Sequence, residues 1–586
     1  MTENKHIGKI IYALIALAMA AVLFVSAAAK GWFGLDKTAL GAKIASAVSD
    51  TGISQEYETK LFDTSQIMTV DIIMSDDKWQ ELLDNAIMEE YYECDVVING
   101  ETFYNVGIRA KGNTSLTNIA NDDTTDRYSF KIKFDEYVEG QTCYGLDKLV
   151  LNNNYADATN MKEAVIYDMY AYLGADASLY NYSKISVNGE YYGVYLALEG
   201  VEDSFMMRNY GTKSGELYKP ENMGFGDAPS DKRKPDWKPD WEKEDTESSE
   251  SDEDGTESEK KERGGGPGGD MPEGFEPTEG FDPENMPEDF KPGDMPEGFD
   301  PGDMPEGGPG GEGQEGDKGF PGGGPGGGGP GGMGSGGGSN LEYTDDDLDS
   351  YQTIWDGEIN NSSKKDHKRV VKALKAISEG DLSTIEEYMD VDNLLKYMAV
   401  HEFAVNNDSL SGSMAHNYYL YESDGQLNII PWDYNLSWGG MSGGDRKGDG
   451  ATSIINDPID DSWSSTSFFD ILLENEEYNA RYHEYLQMLV DYVEGGQYDA
   501  LMERLHTQID DLVATDPTAF YTYDEYTAAY EMLDEVIRLR AESIKGQIDG
   551  TIPSTSEGQQ ADPSNLVDAS AIDTSVMGTM NTGGKK

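Results

Sequence analysis

The sequence predicts an α+β fold in two parts: a strand-rich first half, then a helical second half. Three observations point there. From Gln66 onward, short runs alternate apolar and polar residues, as in QIMTVDIIMS and YSFKIKF. After residue 340, apolar residues recur at helical spacing, as in KKDHKRVVKALKAISEG and VDNLLKYMAVHEFAVNN. Between them, residues 224–340 hold a charge run, an imperfect D-M-P-E-G-F repeat and a Gly/Pro tract, with nothing to bury against the entropy cost of ordering.

The elements follow in order. Residues 1–30 carry Lys5 and Lys9 ahead of an apolar run at 10–29. That pattern predicts an export signal or a retained membrane anchor, with the body of the protein outside the cytoplasm. Residues 31–65 read as a polar tether. Residues 66–223 form the strand-rich part. Asn99-Gly100 and Asn188-Gly189 each sit between alternating runs, the signature of a two-residue hairpin turn. In YSFKIKF, Phe130, Ile132 and Phe134 share one face and Lys131 and Lys133 the other. A helix is expected over 160–173, with Asn160 and Glu163 spaced as a capping box and Gly174 as its stop. Residues 224–340 are expected to be a disordered insertion, with a multivalent or cation-collecting bristle as the alternative. Residues 341–550 form the helical part, with two short strands, HNYYLY and QLNIIPWD. Residues 551–586 read as a disordered polar tail.

Composition limits the partners. The chain has 586 residues and a net charge of −67, from 111 acidic against 44 basic residues. Such a surface repels nucleic-acid phosphates, so no nucleic-acid partner is expected; a basic protein partner fits better. The two cysteines, Cys94 and Cys143, either pair or remain thiols in neighbouring strands, and no His cluster makes a zinc site with them.

The residues with chemistry converge on phosphoryl transfer. Asp408 follows a helix in a loop of small polar residues, where a carboxylate can accept the proton of an attacking hydroxyl. Asp433 ends the apolar strand IIPW, and an acid emerging from a buried run needs a partner such as a divalent cation. Asn417, at the start of the strand between them, offers a carbonyl oxygen suited to Mg²⁺. In GIRAKGNTSL, Arg109 and Lys111 precede a turn at Gly112 and Asn113 whose N–H groups can cradle phosphates, although no Walker A pattern is present. Lys131, Lys133 and Lys148 are further basic candidates for the nucleotide phosphates, and sequence does not separate Lys131 from Lys133. Glu163 is the expected helix partner of that lysine, and Glu199, ending a strand, is placed beside the adenine. The order of elements matches the two-lobed plan of protein kinases.

The ordered series GIRAKGNTS, SFKIKF, KLVLNNNYADATNMKE, VNGEYYGVYLALE, GELYK, DVDNLLKYMAVHEFAVNND, HNYYLY and IIPWDYNLSW resembles the CotH kinase family, spore coat protein H-like atypical kinases, from about Ile67 to Asp549. The resemblance implies an atypical protein-kinase-like fold that uses ATP and Mg²⁺ to phosphorylate Ser or Thr of a protein substrate, for which a basic, Ser-rich segment is expected. It implies Asp408 as the catalytic-loop acid, Asp433 as the metal-binding acid and Asn417 as the polar position after the catalytic loop. Two departures stand out: Asn435 replaces a second acid, and Arg127-Tyr128 replaces consecutive lysines. The alternatives are a surface adhesion or scaffold protein of the same family, and an AMP transferase on the same fold.

Overall fold

The computed structural model describes residues 52–220, 336–441 and 447–580. The leader at 1–30 and nearly all of the insertion expected at 224–340 lie outside them. Among the described residues no helix is long and apolar enough to cross a membrane.

The strand-rich part opens with a short helix α1 (Glu56–Lys60), β1 (Met68–Ile73), α2 (Asp76–Asp84), β2 (Tyr92–Ile98) and β3 (Glu101–Lys111). It continues with α3 (Thr114–Ala120), β4 (Ser129–Lys133), β5 (Lys148–Asn152), α4 (Lys162–Leu173), β6 (Tyr180–Val187), β7 (Glu190–Glu199) and α5 (Asp203–Tyr210). The seven strands close into a barrel in the order β1-β2-β3-β4-β5-β7-β6. Neighbours are antiparallel except where β1 and β6 meet in parallel and shut the barrel. Both predicted hairpins form. Asn99 and Gly100 take φ of 49° and 85°, and Asn188 and Gly189 take 52° and 85°. Two successive positive φ values give the turn whose twist matches the flanking strands.

Alternation sorts the side chains as predicted. Phe130, Ile132 and Phe134 are buried inside the barrel with Ile108, Ala110, Leu149 and Leu151. Directly opposed residues of an antiparallel pair share a face. The pairs Arg109 with Lys131 and Lys133 with Lys148 therefore put the basic side chains together on the outer face. Lys111 and Asn152 continue the same rows by the period of two.

Helix α4 lies against that outer face. Its Ala164, Val165, Ile166, Met169 and Tyr170 share one core with Val150, Leu196 and Leu198 of the barrel and with the helical part. The helix begins two residues later than the sequence suggests. Asn160 is in the left-handed region (φ 54°), and Glu163 does not close a capping box. Asp157 takes over the first turn instead, its carboxylate accepting from the N–H groups of Thr159 and Lys162. Glu163 is thereby released for other contacts. Gly174, at φ 66°, ends the helix as expected.

The second part holds β8 (Glu216–Tyr218), α6 (Gln352–Asp356), α7 (Lys364–Glu379), α8 (Val391–Ala404), β9 (Tyr418–Ser423) and β10 (Gln426–Pro431). It ends with α9 (Asp449–Ile455), α10 (Asp470–Glu474), α11 (Glu476–Glu494), α12 (Gln497–Ala514), α13 (Tyr523–Asp549) and α14 (Ser556–Ala561). Strand β8 precedes the insertion, yet it joins β9 and β10 in a separate sheet and not the barrel. The boundary drawn at residue 223 thus cuts through this sheet. The buried helix α8 delivers the chain into the Asp408 loop.

Two expectations are corrected, and one left open is decided. Of the segment read as tether, residues 31–51 lie outside the described ones, and residues 52–65 are packed: Tyr57 is fully buried and its hydroxyl donates to Glu199. Cys94 and Cys143 are free, buried thiols, and burial pushes the Cys94 thiol up to about 12. The tail is packed through residue 580. Ile552, Ala569, Ile572 and Met577 are buried, and the Ala158 N–H donates to the Met577 carbonyl at 3.0 Å. These apolar residues are too widely spaced among polar ones to show a period. Each buried large apolar side chain contributes about 1.5–3 kcal/mol. Ending the chain after Asp549 should therefore lower the melting temperature by roughly 10 °C. Thermal unfolding of the shortened chain checks this, and an unchanged midpoint would mean that the tail adds no stability.

Candidate active site

The site is assembled from both parts of the fold. From the barrel comes Lys111, whose ammonium donates to Asn152 Oδ1 at 2.8 Å and lies 5.4 Å from the centre of the Trp432 ring. Asn152 in turn donates from Nδ2 to Glu163 Oε2 at 2.8 Å. Lysine and glutamate are therefore joined through an amide, not by a direct ion pair. The other oxygen of Glu163 accepts from the Tyr434 N–H at 3.3 Å, one residue beyond Asp433. Burial, and then the Asp433 charge, hold the Glu163 carboxyl well above its usual range.

Asp433 follows β10 with φ 64°, in the left-handed region that turns the chain out of the strand. Burial pushes its carboxyl up, Lys111 pulls it down and Asp408 pushes it up. The charge of one of the two aspartates singled out in the sequence thus acts on the other. A carbonyl contact joins them as well: Asn406 Nδ2, in the Asp408 loop, donates to the Asp433 carbonyl at 3.3 Å.

The Asp408 loop is stapled on both sides. His401, on α8, meets Ser411 Oγ at 2.7 Å and Ser409 Oγ at 3.2 Å. His416 Nε2 lies 2.7 Å from Asp408 Oδ1. Asn417 Nδ2 donates to the Asp408 carbonyl at 2.7 Å and to Oδ2 at 3.2 Å.

The other candidates separate. Lys133 pairs with Glu136 at 2.8 Å, Lys148 with Glu202 at 2.7 Å and Arg109 with Glu89 at 2.7 Å. Lys131 sits among Arg109, Lys148 and Lys219, and that crowd of cations adds to burial in pulling its ammonium well down. Gly112 has φ 135°, a conformation that favours glycine, and Asn113 leads into α3 without a side-chain cap. Glu199, expected beside the adenine, is fully buried, and its carboxylate accepts from Arg208, Tyr57 and the Leu179 N–H. Asn435, the departure from a second acid, donates to the Tyr155 carbonyl at 2.8 Å.

Sequence reasoning missed Asn152, His416, Asn406 and Lys219. His416 adjoins Asn417 just ahead of β9, where positive φ at Ala415 and Asn417 interrupts any strand pattern, so the HNYYLY run did not mark it. Asn152 carried no signal either, because only the barrel register brings it between Lys111 and Glu163.

Among the described residues no group of three or more acids, histidines or cysteines forms a ready metal cage. The Asp433 carboxylate and the Asn417 side-chain carbonyl are hard oxygen donors of the kind Mg²⁺ takes, one or two at a time, with substrate phosphates and water completing the shell.

With that geometry in view, the comparisons decide the family. The family model described as CotH kinase protein matches residues 108–260 and 334–544, more than half of the chain and every residue of the site. The chain belongs to the CotH kinase family. It is similar to the inner spore coat protein H of Bacillus subtilis (strain 168), with 38% identity over 66 residues. That match covers 11% of this chain and 17% of the relative, so it spans well under two thirds of the relative's length. The CotH family match runs on both sides of the insertion, as the joining of β8 to β9 across it requires.

Proposed function

We propose that this CotH-family chain is an extracytoplasmic atypical Ser/Thr protein kinase, built on a two-lobed kinase-like plan. One observation carries the reading: Lys111 and Glu163 from the barrel side meet Asp433 and Asp408 from the helical side. In this reading ATP enters the junction, and Lys111, steadied by Asn152 and Glu163, holds its phosphates. Lys131, whose ammonium burial and the neighbouring cations disfavour, takes up its proton as the anionic phosphates come beside it. Asp433 and Asn417 hold Mg²⁺, which when bound neutralises charge on the phosphate oxygens. Asp408 receives the proton of the substrate hydroxyl as its oxygen bonds to the γ-phosphorus and the bond to the bridging oxygen breaks, releasing ADP. The substrate is a protein with a basic, Ser-rich segment, matched to a chain of net charge −67. The leader pattern and the spore-coat relative support a place at the cell or spore surface.

Incubation with γ-labelled ATP, Mg²⁺ and a basic Ser-rich peptide tests the reading. Label should enter the peptide, and the Asp408→Asn variant should lose at least about 100-fold. Equal incorporation by the two would overturn it. Transfer of AMP in place of phosphate, seen by mass, would move the chain to nucleotidyl transfer.

A further inference from the structure

The loop that carries Asp408 returns to β9 through a contorted segment. Ala415 and Asn417 both have positive φ, 46° and 58°. Neither is glycine, and such conformations cost free energy that the surroundings must offset. The residue between them is His416. Its ring is 13% exposed and the Asp408 side chain 11%, so the contact at 2.7 Å is largely shielded from water. Asp408 Oδ1 thus receives His416, while Oδ2 and the backbone carbonyl receive Asn417. The carboxylate is held by both oxygens and cannot rotate freely. His401, by contrast, hydrogen-bonds with Ser409, Ser411 and the Tyr434 hydroxyl, packs against the Tyr397 and Trp463 rings, and supports the loop from below.

We propose that His416 is a positioning residue for phosphate transfer: by donating from Nε2 to Asp408 Oδ1 it fixes the orientation in which Asp408 meets the substrate hydroxyl. This rests on the kinase reading above. A carboxylate that must take a proton from a short-lived geometry loses rate when it is free to turn, while nucleotide binding, which depends on other residues, is unaffected. His416 acts through Asp408 and does not itself touch substrate. The backbone bends at Ala415 and Asn417 are what bring its ring to that oxygen.

The experiment compares the full chain with His416→Ala and His416→Gln. His416→Ala should lower kcat about 10–100-fold with the Kd for MgATP within about twofold of the parent and the melting temperature unchanged. His416→Gln carries an amide N–H at nearly the same reach and should recover kcat to within about threefold. Combining His416→Ala with Asp408→Asn should lower the rate no further than Asp408→Asn alone, since the two act as a unit. The proposal is overturned if His416→Ala turns over like the parent. It is equally overturned if nucleotide affinity or melting temperature falls in step with kcat, or if glutamine does no better than alanine. A parent chain that transfers no phosphate overturns the kinase reading, and this inference with it; an active parent matched by His416→Ala overturns this inference alone.

Discussion

Asp433→Asn should abolish phosphate transfer and, at the same time, make the protein more stable. The two effects have one cause. The Asp433 carboxylate accepts no hydrogen bond from the described residues, burial raises its pKa by more than Lys111 lowers it, and Asp408 adds repulsion. Glu163 is raised by the same neighbour. A group that gains stability only by taking up a proton is a burden when ionised at neutral pH. An amide of the same shape removes that burden, and the melting temperature should rise by about 2–4 °C. The parent should also gain stability when Mg²⁺ and ATP are added, because a ligand that binds the folded state stabilises it. The variant should lose that gain. Thermal unfolding with and without MgATP, beside the labelled-ATP assay, reads all three effects. A lower melting temperature for Asp433→Asn would show that the carboxylate is structurally paired and the site misread.

Arg127→Ala should have the largest effect on stability of any single exchange in the barrel. Arg127 fastens the barrel to the helical part. Its guanidinium meets both oxygens of Asp516 at 2.8 and 2.9 Å, with the two side chains 2% and 1% exposed. It also donates to the carbonyls of Asn153 and Val194 and to the Thr518 hydroxyl. The Tyr195 ring lies 4.7 Å below it, and Gly193 leaves it room, since a Cβ there would come within 2.6 Å of the guanidinium. Removing one partner of a buried pair leaves the other as an uncompensated charge, at a cost of about 3–5 kcal/mol. Arg127→Lys should recover little, because an ammonium cannot reproduce the fork that serves five acceptor atoms. Denaturant unfolding checks this, and a loss below about 1 kcal/mol would mean that water reaches Asp516.

Much of this was legible in the chain, and the limits have physical reasons. The Asn-Gly turns and the Phe130, Ile132, Phe134 row are local signals, set by backbone conformation and pleat, and they hold. Asp408 and Asp433 stood out because each is an acid set at the edge of an apolar element. Barrel closure did not, because the parallel meeting of β1 with β6 joins segments more than a hundred residues apart. The choice among the lysines failed for a related reason. Register sets Lys111 beside Asn152 and leads Lys133 and Lys148 to acids of their own. Glu163 was found by its spacing, but its supposed helix-capping duty falls to Asp157. The tail escaped notice because its few buried residues obey no period.

The joining of β8 to β9 has a consequence for how this protein can vary. Leu217 accepts from the Ile359 N–H at 2.9 Å, and the Lys219 N–H donates to the Gly357 carbonyl at 2.7 Å. The polypeptide therefore departs and comes back at one doorway, with both doorposts bolted to the same β-ribbon. Linking two fixed points costs an entropy that climbs only with the logarithm of the intervening length, about 0.6 kcal/mol per doubling. Cargo of very different size can hang from that doorway, gained or shed by duplication of its repeat, while the chemistry behind it stays as it is.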